Sequence, residues 1–245
     1  MKIRIRFSKT GNMRFISHLD VMRYFQKALR RAGVAICFSQ GFSPHPVMSF
    51  ASPLGMGETS EGEYVDIEVD HCESSARMVE RLNAVMAEGF RVRSFRRLPD
   101  TGKTNAMATI AAADYRVLLR PEGFLSRDVL GTAWEDFLGQ ESIVVHRKTK
   151  SREGDADIRP MIRVARWQED GSFFLRLDAG SVRNLKPEAV FDGFFRYLER
   201  TGAPVPADLP DSGSVSRVLQ IHRLDLYGER EGQLVSLEEL GEEIP

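Results

Sequence analysis

The sequence predicts an α+β protein built from two tandem ferredoxin-like (βαββαβ) sandwiches, each an antiparallel sheet with its helices on one face. Three observations carry this. The chain has 245 residues, long for one compact domain and comfortable for two of roughly 100 residues each. Short segments alternate apolar and polar residues with the period of a strand, and between them lie apolar stripes at helical spacing. The same order of elements, strand–helix–strand taken twice, fits both halves of the chain. The boundaries that follow are a first domain over 1–99, a linker over 100–113, a second domain over 114–229 and an acidic tail over 230–245.

The first half opens with residues 2–7, where Ile3, Ile5 and Phe7 face inward and Lys2, Arg4 and Arg6 face outward. Ser17 followed by Asp20 is a capping-box-like helix start. Leu19, Met22, Phe25, Leu29 and Ala32 then recur at helical spacing, and Gly33 is a fitting stop. Val34–Ser39 reads as a short strand. The glycine-rich stretch Leu54–Gly62 reads as a loop, and Tyr64–Val69 as a strand with Val65, Ile67 and Val69 inward. Ser74 or Ser75 caps a helix with a core stripe of Val79, Leu82, Val85 and Met86, and a strand runs from Phe90 to about Phe95.

Asp100–Ala113 is rich in Thr, Ala, Gly and Asn and has no amphipathic pattern, so it reads as the linker. The second half then gives a strand at Tyr115–Arg120, a helix near Ser126–Leu138 with Val129, Ala133 and Phe137 inward, and a strand at Ser142–Lys148. Ile158–Trp167 and Ser172–Leu177 form a hairpin turning at Glu169, Asp170 and Gly171. Pro187 opens a helix with Val190, Phe194 and Leu198 inward, Gly202 ends it, and Val215–Leu226 is the closing strand.

Composition is that of a soluble globular protein, 42% hydrophobic and 28% charged. No apolar run reaches the ~20 residues that cross a bilayer, and Lys2, Arg4 and Arg6 interrupt the continuous apolar stretch a signal peptide needs. A cytoplasmic protein with no membrane partner is expected. Cys37 and Cys72 are the only cysteines, too few for an iron–sulfur cluster, which takes about four thiolates. Charge is uneven along the chain. Up to Gly33, nine Lys or Arg face the single acid Asp20, whereas from Glu229 onward six glutamates face Arg230 alone. A polyanion or an acidic partner for the front of the molecule is implied.

The densest candidate is Arg14–Pro46. Arg23, Lys27, Arg30 and Arg31 crowd one side of the first helix, Arg14 precedes it, and the loop Gly41–Pro46 carries Phe42 and His45. Basic residues that track phosphates beside an aromatic that stacks on an unpaired base suit RNA; the plainer reading is a solvated helix side and a Phe42 that plugs a gap. On the sheet, Lys2, Arg4, Arg6, Arg91 and Arg93 against Asp66 and Glu68 suggest either a polyanion surface or an interface with the second domain. His18, His45 and Tyr24 are the residues a metal-free acid/base cleavage of RNA would use. A metal site from His18, Asp20, His45 and His71 lacks any recognised ligand spacing, so none is expected. A second basic cluster, Arg147, Lys148, Lys150, Arg152 and Arg159, surrounds Gly154 and has the composition of a phosphate-gripping loop.

The runs RFISHLDVMRYFQKALRRAG, FSQGFSPHPVMSFASPLGMG and SEGEYVDIEV, with DADIRPMI in the second half, closely resemble the radical-SAM-linked bacterial proteins, a family of unknown function. The resemblance covers most of the chain and weakens over Asp100–Ala113 and after Gly202. It implies association with a B12-binding-type radical SAM protein and proximity to ribosome and RNA metabolism. It implies no reaction and no catalytic residue. The iron–sulfur cluster and SAM would then belong to the partner, with no cofactor in this chain. A more distant similarity of plan links the chain to CRISPR repeat-RNA endoribonucleases, although Gly213–Ser216 is a poor substitute for their glycine-rich loop. Three functions are therefore expected in descending order: a non-catalytic RNA-binding or adaptor subunit, with RNA or a ribosome-related particle as its ligand, a metal-independent endoribonuclease, and a protein-interaction subunit docking on the radical SAM partner.

Overall fold

The structure is a computed structural model that describes residues 1–100, 105–120, 126–148, 153–203 and 215–245. In chain order the elements are β1 (Lys2–Lys9), α1 (His18–Arg31), β2 (Met48–Phe50), β3 (Thr59–Glu68), α2 (Ser75–Asn83), β4 (Phe90–Arg97), α3 (Ala106–Thr109) and β5 (Ile110–Leu119). Then come α4 (Arg127–Leu138), β6 (Val144–Lys148), β7 (Glu153–Asp157), β8 (Ile162–Trp167), β9 (Phe173–Asp178), α5 (Pro187–Thr201), β10 (Leu219–Arg230), β11 (Gln233–Ser236) and β12 (Glu242–Glu243). The protein is a mixed α+β molecule with mostly antiparallel sheet. It divides into two compact units, Met1–Ala113 with Arg223–Pro245, and Asp114–His222.

In the first unit the strands run β12-β4-β1-β3-β10, with β2 on β3 and β11 on β10. β1 is antiparallel to both neighbours, in register at Ile5↔Val65 and Ile5↔Phe95. Its inward residues Ile3, Ile5 and Phe7 meet Phe25 and Leu29 of α1 and Leu82 of α2. Rings knit this core, Phe7 to Phe25 at 4.4 Å and Tyr24 stacked on Phe90 at 4.7 Å. The Ser17 cap forms as expected: its hydroxyl accepts from the Asp20 N–H at 3.2 Å and donates to the Asp20 carboxylate at 2.7 Å.

Several expectations are corrected. Leu19 is 62% exposed, and α1 instead buries Val21, Phe25, Ala28 and Leu29. At 3.6 residues per turn, Leu19 lies about 135° from the middle of that stripe. Val34–Ser39 makes only isolated bridges, Ile36↔Val69 and Phe38↔Pro46, and the strand falls later, at β2. The linker reading fails over its second half, where α3 and the start of β5 lie. Ala106, Ala112 and Ala113 are fully buried, and a Cβ on Gly228 would meet the Thr109 carbonyl at 3.2 Å, so the small residues mark close packing rather than a tether.

The acidic tail is a folded strap. β10 continues to Arg230, the chain reverses at Glu231 and Gly232 with φ of 54° and 76°, and β11 pairs back on β10. Leu237 is fully buried, β12 pairs with the outer edge of β4, and the Ile244 backbone exchanges two hydrogen bonds with Ser75. The rest of that edge is blunted by Asn83, whose amide bonds both the N–H and the carbonyl of Val92.

In the second unit β5 lies between β9 and β10, and β8 pairs with β9 in a hairpin turning through Gly171 at φ 83°. Trp134, Phe137, Phe173, Phe191 and Phe194 fill the core, with Trp134 4.9 Å from Phe194. α4 buries Leu130, Trp134 and Phe137, while Val129, expected inside, is 45% exposed. β6 leaves the main sheet to pair with β7 in a separate two-stranded sheet. β7 reads Glu-Gly-Asp-Ala-Asp, a sequence with little intrinsic strand preference, and gains its order from the partner strand. The closing strand begins at Leu219, after a 3-10 turn at Val215–Arg217.

Candidate functional site

On α1, Arg23, Lys27 and Arg30 follow the i, i+4, i+7 spacing of one helix stripe and are exposed. Arg23 has a loose pair with Asp20 at 3.5 Å, while Lys27 and Arg30 have no ion-pair partner among the described residues. Arg31 is spent on the fold: its guanidinium donates to the Val85 carbonyl at 3.0 Å and lies over the Tyr24 ring. Arg14 sits 4.6 Å from the centre of the Phe15 ring.

The loop that follows is pinned at its base. The Ser39 N–H donates to the His45 carbonyl at 2.9 Å, the His45 N–H donates to the Ser39 hydroxyl at 3.1 Å, and that hydroxyl also bonds His45 Nδ1 at 2.9 Å. Gly41, at φ 114°, turns the chain where a side chain would be strained. Phe42 is fully exposed rather than plugging a gap. Phe38, 54% exposed, stands at the entrance to the same loop.

His18, at the start of α1, is half-buried with its ring edge-on to Phe50 at 5.4 Å. His45 lies five residues before Phe50, roughly 16 Å of extended chain, and no hydrogen bond joins the two histidines among the described residues. The Tyr24 hydroxyl accepts from the Ala87 N–H and donates to the Met86 sulfur. It is a packing residue on another side of the helix. In the second unit, Arg147 donates to the Asn184 carbonyl at 2.6 Å and burial lowers its pKa, while Arg159 donates to the Leu138 carbonyl at 3.0 Å. Lys148 ends β6. Lys150 and Arg152 lie outside the described residues.

The basic sheet face is largely neutralised within its own unit. Arg4, 1% exposed, forms a two-bond pair with Asp66 at 2.8 and 2.9 Å. Arg6 bonds Glu238 at 2.7 Å, and Arg96 lies 3.6 Å from the same carboxylate. Burial opposes ionisation of Glu238, but hydrogen bonds from Arg6 and Ser94 outweigh it and hold the carboxyl below its usual range. The strap therefore supplies acids where the sequence suggested an open polyanion surface.

A polar cluster without a sequence signal forms behind His18. Arg223 and Glu63 make a buried pair, 3% and 7% exposed, with both carboxylate oxygens 2.6 Å from one guanidinium nitrogen. Lys9, 2% exposed, donates to the Ile16 carbonyl at 3.2 Å. Burial lowers the Lys9 pKa, Glu63 and Glu58 oppose this, and Arg223 adds to it. Burial likewise lowers that of His18. Their partners lie up to 160 positions away in sequence, and the strands read from the sequence, 2–7 and Tyr64–Val69, stop short of both Lys9 and Glu63.

Cys37 and Cys72 are free thiols on separate segments. Among the described residues, no group of three or more His, Cys, Asp or Glu is placed to hold a metal ion, and no helix is long and apolar enough to cross a membrane. No curated protein matches the chain. A family model does, across residues 2–187, which takes in β1 through the start of α5 and so the helix stripe, the pinned loop and the polar cluster up to Glu63. By that match the chain belongs to the DUF2344 family, described as an uncharacterized protein conserved in bacteria.

Proposed function

We propose that this protein is a non-catalytic RNA-binding or adaptor subunit that works in the cytoplasm beside a separate radical SAM enzyme. The observation that carries the reading is Phe42, fully exposed at the tip of a loop whose base is fixed by Ser39 and His45. An aromatic held in water has no role in the core, and a base stacked on it contributes about 1–3 kcal/mol. The stripe Arg23, Lys27 and Arg30, on the preceding helix, supplies the cations that any RNA backbone requires. The same reading takes each unit as a ferredoxin-like sandwich, which the order β4-β1-β3-β2 in the first unit supports. The resemblance to radical-SAM-linked proteins motivates the enzyme partner, which would bring the cluster and SAM. Filter binding with structured RNA tests the proposal. Micromolar or tighter affinity should be lost when Arg23, Lys27 and Arg30 are all changed to Glu; absent binding, or binding indifferent to these changes, contradicts it.

A second reading, docking on the enzyme partner, is favoured by exposed Phe15, Leu19 and Met56 around the start of α1, where the Gly57 N–H bonds the Arg14 carbonyl at 2.8 Å. Co-purification that survives nuclease digestion but fails after Phe15→Ser with Leu19→Ser would select it. The endoribonuclease reading has less support, since among the described residues no hydrogen bond joins His18 and His45. Cleavage of RNA in EDTA, abolished by His18→Ala with His45→Ala, would restore it.

A further inference from the structure

The first unit contains a cleft of about 340 Å³, bordered by Lys2, Ser39, His45, Asp66, Glu68 and other residues of β2 and β3. That is the low end of the size range of small-ligand pockets. Its two carboxylates differ. Asp66 is consumed by Arg4 and by the Ala106 N–H at 2.7 Å. Glu68 has no hydrogen bond or ion pair to its carboxylate among the described residues, although its backbone is fixed on both sides, the N–H donating to Val47 at 3.1 Å and the carbonyl accepting from Cys37 at 2.8 Å. The cleft thus presents the Glu68 carboxylate, the ammonium of its cross-strand partner Lys2, and the His45 imidazole, whose Nδ1 is anchored on Ser39.

A carboxylate with two available oxygens matches a ligand edge with two adjacent N–H donors. Among the RNA bases, guanine offers that edge through N1–H and the N2 amino group, whereas uracil offers one N–H flanked by two carbonyls. Unpaired bases in single-stranded RNA expose this edge for recognition. We infer that the cleft binds one unpaired guanine nucleotide of an RNA, with Glu68 reading N1 and N2 and with Lys2 and His45 facing its phosphate. The inference rests on the RNA-binding reading and adds base selection to it. Phe42, three residues before His45 on the pinned loop, is placed to stack on a neighbouring base.

Equilibrium dialysis of the full chain against GMP, AMP, CMP and UMP separates the two ideas, alongside titration with a mixed-sequence single-stranded RNA. GMP should bind about tenfold more tightly than UMP, the discrimination expected of one bidentate contact. Glu68→Gln, nearly isosteric, should abolish the preference, and the Arg23, Lys27 and Arg30 reversal should preserve it while weakening the RNA. If RNA binds in a salt-dependent way but GMP shows no preference, or keeps it in Glu68→Gln, the cleft assignment is overturned and the RNA reading stands. If neither nucleotide nor RNA binds, both fall.

Discussion

Arg223 and Glu63 lie 160 residues apart in sequence and meet as a buried pair, with the guanidinium also donating to the Ser52 carbonyl at 3.0 Å. Removing one member strands the other charge out of water. Arg223→Met should therefore lower unfolding free energy by about 3–5 kcal/mol in urea titrations, and a loss under about 1 kcal/mol would mark the pair as solvated. His18 gives a pH signature. Burial holds its folded-state pKa down, Lys9 pushes the same way, and Glu63 opposes. As pH falls through the unfolded value near about 6.5, the unfolded chain takes the proton first. Stability should fall in that window, and the loss stops growing below the folded value. His18→Gln should flatten the dependence of the urea midpoint between about pH 7 and pH 5; an unchanged slope would assign the effect elsewhere. None of these partners was legible in the sequence, because local patterning places a residue on a strand face but does not name the distant strand beside it. Arg23, Lys27, Arg30 and Phe42 were legible, since helical spacing and a glycine–proline context are local facts.

At the scale of elements, α1, its Ser17 cap, β1, the second half of β3 and the β8–β9 hairpin could be read directly, each having a clear period or turn chemistry, whereas the start of β3 at Thr59 lies in a stretch that reads as a glycine-rich loop. α3 and the start of β5 could not. Their alanines are small because neighbours approach closely, and a tether has the same composition. The strap was missed for the opposite reason: glutamates that look solvated in sequence are paired to Arg6, Arg96 and Arg97. Truncation before Leu237 should cost at least roughly 2–3 kcal/mol through that one buried side chain. It should also speed amide exchange in β4, and unchanged stability would mean the strap is not part of the first unit. The loop behaves differently. Phe42→Ala should shift unfolding free energy by less than about 0.5 kcal/mol while weakening RNA affinity by about 1–3 kcal/mol. A large stability loss would show that Phe42 is packed.

For the whole molecule, two compact units were legible from chain length. The discontinuous first unit, completed by Arg223–Pro245, was not, because a strand's alternation does not say which sheet it joins. The structure also revises the charge argument. Of the nine bases before Gly33, Arg4, Arg6, Lys9 and Arg31 are engaged in the fold, leaving Lys2, Arg14, Arg23, Lys27 and Arg30 as the basic front. Three of these five form the α1 stripe on which the functional proposal depends. The salt dependence of RNA affinity tests that proposal most directly, since each neutralised phosphate of a single strand contributes about −0.7 to the slope of log affinity against log salt. Changing Arg23, Lys27 and Arg30 to Glu should reduce the slope's magnitude by about 2 and weaken binding at low salt. An RNA affinity that is absent, or a slope that the triple change leaves where it was, would contradict the account.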